Sequence, residues 1–318
     1  MACNSFILPS IFDCSYLNNG VFCSLTDPQY TKLAYFCDII VHDKNRKYIY
    51  RADSISRLET IYQTNIDTAS FVDLLFMVGA KGNEFTQNID YSRTITDTHA
   101  LNIWNSIRQV IIDSTASDAV IRRIRNFTRE NTDFVDYFRD VNNKQLFVNA
   151  FKGRSKWLVN DYYEMFLHTI EMNSPQNEYS AMLSTSLDID VARRFMHNRG
   201  IIFVGWFSRC GLIKYNDMNK RNRKIHLLGL PIYEAGVFPD QKEICLKYGL
   251  PPHNIVGYFK DNNKFIVNHH LISNFNENYD LVDIVRKSIC IDQCNFLDYL
   301  RTTKYKRGYN LITQRYLL

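Results

Sequence analysis

The chain has 318 residues, enough for a sizeable core and, at about 150 residues per domain, for two domains or one domain with large insertions. Hydrophobic residues make up 46% and charged residues 22%, with 12 glycines and 7 prolines, which excludes a disordered, collagenous or low-complexity chain. The 38 Lys and Arg against 33 Asp and Glu leave +5, too mild to imply nucleic acid by itself. The first element in chain order is a short strand over Lys47 to Arg51, with Tyr48 and Tyr50 on one face and Ile49 on the other. From Asp97 to about Phe138 the period turns helical: Leu101, Trp104, Ile107 and Ile111 share a face behind an Asp97 cap, followed by Val120, Ile121, Ile124 and Phe127, then Phe134, Val135 and Phe138. Gln145 to Phe151 reads as a strand and Leu158 to Ile170 as a helix. Strands then dominate to about residue 270, over Ala181 to Ser184, Ile201 to Phe207, Glu234 to Phe238, Glu243 to Leu246, Ile255 to Phe259 and Phe265 to Val267. One helix interrupts them from Asp188 to about Met196. From Leu281 the tail reads as helical again and ends basic and aromatic. The class this predicts is α+β.

Charge is unevenly spread. Between Arg193 and His226 stand nine basic residues against Asp217 alone, so this stretch carries +8 and the remainder of the chain is net acidic. A run such as Lys220 to Lys224 is most often a solvated loop, and it also suits a phosphate-rich partner. The 8 cysteines, Cys3, Cys14, Cys23, Cys37, Cys210, Cys245, Cys290 and Cys294, show no paired CxxC spacing, so no zinc site is expected. The N-terminus has no basic n-region followed by a long apolar run, and no apolar stretch approaches the roughly 18 residues of a membrane span. The expectation is a cytoplasmic protein without signal peptide or membrane span, of its maker or of a target cell, in which thiols behave as small buried apolar groups.

Three separated segments carry candidate chemistry. Tyr50-Arg51-Ala52-Asp53-Ser54 ends a strand, and an arginine there is ordinarily a surface charge or ion-pair partner. Ser184-Thr185-Ser186 follows apolar Ala181-Met182-Leu183 and precedes Asp188, which reads as a helix cap. Phe238-Pro239-Asp240-Gln241-Lys242-Glu243-Ile244 is a polar turn leading into a strand. In this order and these contexts the three resemble the ADP-ribosyltransferase toxins, in the branch of cholera toxin, pertussis toxin and the pierisin-like enzymes. That branch has a strand ending Tyr-Arg-x-Asp-Ser, a Ser-Thr-Ser strand, and a glutamate two residues after a Glu or Gln. Tyr248-Gly249-Leu250-Pro251 and Ile255-Val256-Gly257-Tyr258-Phe259 also look like the turn and strand that follow that glutamate.

The resemblance implies a pair of split antiparallel sheets around an NAD cleft, within a catalytic domain over residues 1–270. A helical insertion at about 90–160 and a basic helical extension at 271–318 would complete the chain. It implies NAD as substrate, no metal, and transfer of ADP-ribose to a macromolecular acceptor. Cleaving the nicotinamide–ribose bond builds positive charge on the sugar, which a carboxylate stabilises, and Glu243 is that candidate. Arg51 offers the forked donors a pyrophosphate needs. Ser184 is the expected cleft hydroxyl, with Ser186 beside it, while Thr185 points to the other face of the strand. Gln241 shares a face with Glu243 and would address the acceptor. His168, in Phe166-Leu167-His168-Thr169, lies where the branch often puts a histidine near NAD, although a lone His among apolar residues is more often structural.

Gln before Glu goes with acceptors other than arginine, among them guanine bases and several protein side chains, and the basic segments tilt the choice toward a nucleic-acid base. No proline follows Ser54, and Arg51 lies 133 residues before Ser184, a longer gap than the branch usually has. A second register stays open: Phe151-Lys152-Gly153-Arg154 resembles the Tyr-Arg-Gly strand of other ADP-ribosyltransferases, only 30 residues before Ser184. An NAD glycohydrolase, or an inactive binding module of the same fold, would retain the same motifs.

Overall fold

In a computed structural model the described residues are 13–18, 21–42, 46–62, 95–112, 118–154, 156–171, 182–196, 200–208, 215–217, 228–231, 241–247, 250, 254–261, 264–268, 309–310 and 315–316. The chain divides into two units. One comprises Met1–Gly79, Leu183–Asn216 and Asp240–Leu318 and carries the main sheet; the other comprises Ala80–Met182 and Asp217–Pro239 and is helical. The class is mixed α and β with a mostly antiparallel sheet.

The sheet is built from β1 (Asp13–Asn18), β2 (Val21–Ser24), β3 (Arg46–Ser54), β4 (Met182–Ser186), β5 (Gly200–Ser208), β6 (Tyr215–Asp217), β7 (Glu243–Lys247), β8 (Ile255–Asp261) and β9 (Lys264–Val267), in the order β2-β1-β9-β8-β5-β3-β4-β7-β6. At its centre β3 runs antiparallel to β5 over its whole length, from Arg46 opposite Ser208 to Ser54 opposite Gly200. β3 meets β4 at Tyr50 opposite Ser186. Only β1 and β9 pair in parallel among the registers described.

Period-two patterning divides the apolar side chains between two clusters. Tyr48, Tyr50, Ile202, Val204 and Trp206 pack with Leu33, Phe36, Cys37 and Ile40 of helix α1 (Asp27–His42). Ile49, Ile201, Phe203 and Phe207 pack with Leu183, Ile244 and Leu246. Each such side chain, fully withdrawn from water, is worth about 1.5–3 kcal/mol, which explains why the near-continuous apolar run of β5 lies at the centre of the sheet. Gly257 of β8 lies where a Cβ would run into the Ile266 carbonyl and the Phe265 ring, so the strand pair closes only over a glycine. A short helix, α2 (Ile55–Tyr62), follows β3 directly.

The helical unit contains α3 (Asp97–Ile112), α4 (Asp118–Glu130), α5 (Thr132–Arg139), α6 (Asn143–Phe151) and α7 (Lys156–Glu171). Its core is aromatic, with Trp104, Phe134, Phe138, Phe147, Tyr162 and Phe166 buried and in ring contact; Trp104 and Phe138 lie 4.8 Å apart. Much of the chain's aromatic content serves packing here. The cap of α3 is Thr96 rather than Asp97: the His99 amide donates to Thr96 Oγ1 at 3.2 Å, and Asp97 sits in the first turn. Residues 143–151 form a helix, not the expected strand. Phe147, Val148 and Phe151 are buried at helical spacing, and Leu146, which an alternating strand had to pack, is exposed.

A last helix, α8 (Ile189–Arg194), starts at Asp188 as expected, its carboxylate accepting from the Asp190 amide at 3.0 Å. Where the tail is described it is strand and not helix, Tyr309 pairing with Tyr316 and Asn310 with Arg315 as β10 (Tyr309–Asn310) and β11 (Arg315–Tyr316). The strand expected at Glu234 to Phe238, the basic run Lys220 to Lys224 and residues 271–308 lie outside the described residues. Among the described residues no helix is long and apolar enough to cross a membrane, and Cys14, Cys23, Cys37 and Cys245 form no disulfide.

Candidate functional site

The three motifs meet on consecutive strands of the sheet, because β3, β4 and β7 are neighbours in that order. Arg51 lies near the end of β3 and its Nη1 donates to the Ser184 carbonyl of β4 at 2.7 Å, bridging 133 residues of sequence. Its Nη2 faces the Asp53 carboxylate at 3.5 Å. The guanidinium side chain is 17% exposed and the Asp53 side chain 6%, so this cation and carboxylate sit largely out of water, where charge is less screened than at the surface. The Asp53 carboxylate also accepts from the Ser54 amide at 2.9 Å. The Asp in the Tyr-Arg-x-Asp-Ser segment thus holds both the strand end and the arginine.

β4 docks on β7 through side chains as well as backbone. Thr185, buried on the face away from Ser184, donates from Oγ1 to the Ile244 carbonyl at 2.6 Å. The Ser186 hydroxyl donates to the Gln241 carbonyl at 2.6 Å and accepts from the Asp188 amide at 3.0 Å, so Ser186 ties the turn before β7 to the start of α8. Ser184 is half-buried and Gln241 half-buried.

Glu243, the first residue of β7, is 6% exposed. A carboxylate so far from water is costly unless donors face it. One such donor was not anticipated from sequence: the Cys245 thiol, buried, donates to Glu243 Oε1 at 3.4 Å. The i, i+2 spacing on a strand puts both on one face, which is the signal that could have found it.

Lys242, between Gln241 and Glu243, adopts φ +46°, and among the described residues it alone of the non-glycines has a positive φ. Its ammonium donates to Asp188 Oδ2 at 2.8 Å and its carbonyl accepts from the Leu187 amide at 3.1 Å. The Lys242 hydrogen bond, joined by the Asp190 amide, holds the Asp188 carboxyl below its ordinary range.

The remaining expected residues belong to the helical unit. His168 is buried on α7, in the helical unit, between buried Leu167 and Thr169. Lys152 caps the C-terminus of α6, exposed, with its ammonium 3.4 Å from Asp97. Gly153 has φ +70° and the Arg154 amide donates to the Phe151 carbonyl, so Phe151 to Arg154 is a helix stop and not a strand beside Ser184. This removes the second register for the arginine. The structure therefore brings together Arg51, Ser184, Ser186, Gln241 and Glu243 in one unit. Searches against known proteins find no matching family model, no matching curated protein and no matching solved structure.

Proposed function

We propose that the chain is a mono-ADP-ribosyltransferase that takes NAD as substrate, with the sheet-bearing unit as the catalytic fold of that family. The observation that carries the reading is the strand order β3-β4-β7, which makes neighbours of the arginine, serine and glutamate segments although they lie 133 and 59 residues apart in sequence. A forked cation, a hydroxyl strand and a buried carboxylate on three adjacent strands suit a site that cleaves a charged glycosyl donor.

In this reading Arg51 binds the pyrophosphate of NAD through its forked donors, oriented by Asp53 and by the Ser184 carbonyl. The bond between ribose C1′ and the nicotinamide nitrogen breaks, and its electron pair leaves with nicotinamide. Glu243 stabilises the cationic ribose, where a preorganised partner is typically worth about 10²- to 10³-fold in rate. Ser184 supplies the hydroxyl that addresses the ribose. The acceptor nucleophile then bonds to C1′ and loses its proton, and Gln241, whose amide both donates and accepts, orients a neutral acceptor. A nucleic-acid base is favoured over a protein side chain because the chain concentrates positive charge after Arg193.

Incubation of the full chain with radiolabelled NAD and a mixed cell lysate, with nuclease and protease controls, tests the reading. Label on nucleic acid or protein is the expected result. Free ADP-ribose alone makes the protein a glycohydrolase, and no consumption of NAD refutes the proposal.

A further inference from the structure

The turn that presents Gln241 and Glu243 is held in an unusual way. Lys242 stands in the left-handed region, which disfavours any residue with a Cβ, and such a conformation persists only where its surroundings over-determine it. The surroundings here are the last residue of the serine strand and the two that follow it. The Ser186 hydroxyl takes the Gln241 carbonyl, the Leu187 amide donates to the Lys242 carbonyl, and the Asp188 carboxylate takes the Lys242 ammonium at 2.8 Å. Asp188 is itself fixed, because its other oxygen caps α8 through the Asp190 amide. A pair between mobile surface side chains contributes little; here the capping bond orders Asp188 before it meets the half-exposed Lys242, whose backbone the turn already holds.

We infer that Asp188 and Lys242 form a latch that fixes the Gln241 to Glu243 turn and, resting on the transferase reading above, sets how much ADP-ribose goes to the acceptor rather than to water. The reason is geometric. Capture of the ribosyl cation by an acceptor requires Gln241 to hold that acceptor in line with the carbon that Glu243 stabilises, whereas water needs no such alignment. Loosening the turn therefore costs transfer more than hydrolysis. Both are positioning residues, since neither reaches the reacting atoms in this account.

Asp188→Asn keeps the oxygen that caps α8 and removes the charge; Lys242→Gly keeps the positive φ, more comfortably, and removes the ammonium. Neither substitution is expected to unfold the chain. With radiolabelled NAD and one mixed cell lysate, each variant and the double variant are expected to lower the ratio of transferred to free ADP-ribose by the same factor, about tenfold. KM for NAD should stay within about twofold, and Lys242→Arg should retain the wild-type ratio. Amide hydrogen exchange at Leu187 should quicken equally in the three weakened variants. An unchanged ratio in Lys242→Gly, or losses that add in the double variant, overturns the latch. If the wild-type chain consumes no NAD, the transferase reading fails, and exchange at Leu187 alone then decides whether the turn is latched, with unchanged exchange in Lys242→Gly overturning it.

Discussion

Arg51→Lys keeps the positive charge at the end of β3 but replaces a fork with a single ammonium. In the protein Arg51 already spends Nη1 on the Ser184 carbonyl at 2.7 Å and turns Nη2 toward Asp53 at 3.5 Å, and its side chain is only 17% exposed. A hydrogen bond from a charged group is worth about 1.5–3 kcal/mol, and a lysine cannot hold the carbonyl, the carboxylate and a pyrophosphate at once. We predict that loss of one such bond weakens NAD binding by roughly 10- to 100-fold, at about 1.4 kcal/mol per tenfold. Arg154→Lys and Lys152→Gln serve as controls. Lys152 makes an exposed pair with Asp97, of a kind worth about 0–1 kcal/mol, and both residues belong to the helical unit. Titration calorimetry with NAD on the three variants gives the answer. Loss of affinity in Arg154→Lys with retention in Arg51→Lys would refute the placement of the pyrophosphate.

We predict that Cys245→Ala, which deletes the thiol facing Glu243, lowers kcat for NAD cleavage while KM holds, and that Cys245→Ser restores part of it through its hydroxyl; a shift in KM alone would contradict this. Asp188 is held below its ordinary carboxyl range, so the stability that its charge contributes is present above pH about 4 and disappears as the pH falls through the lowered value. The gap in thermal stability between wild type and Asp188→Asn should therefore be constant near neutrality and narrow only in acid, and a gap that widens in acid would contradict the assignment. Neutralising Lys220, Arg221, Arg223 and Lys224 should flatten the salt dependence of the reaction by about one unit of slope per lost phosphate contact if the acceptor is a polyanion. A salt dependence unchanged from wild type in that variant would move the acceptor from nucleic acid to protein.

The central strands were readable because alternation and burial coincide in them. Tyr48, Ile49 and Tyr50 divide between the two apolar clusters as the period-two pattern of β3 requires, and the apolar runs of β5, β7, β8 and β9 appear at their expected places. Helix α1 is also marked in the sequence. Thr26-Asp27-Pro28-Gln29 is a capping box, in which the Gln29 side chain accepts from the Thr26 amide at 3.0 Å, and Leu33, Phe36, Cys37 and Ile40 follow at helical spacing. The strand expected over Gln145 to Phe151 failed because a short apolar run satisfies both periods, and the exposed Leu146 settles it as a helix only once the fold is known. Gly153 has the same lesson: it resembles a motif glycine in sequence and is a helix stop in space. At the site, the contact between Arg51 and the Ser184 carbonyl joins residues 133 apart, which no local pattern contains. The positive φ of Lys242 was hidden as well, since lysine carries no left-handed preference and the strain is imposed by Ser186, Leu187 and Asp188.

Glu243→Gln is the sharpest test of the transferase reading. The substitution removes the charge and nearly preserves the shape of a side chain that is 6% exposed, so the fold should survive. Release of nicotinamide from NAD and NAD binding are then measured on the same preparation. Cleavage is expected to fall by about 10²- to 10³-fold with NAD still bound at close to the wild-type affinity. Cleavage at the wild-type rate in Glu243→Gln would contradict that reading.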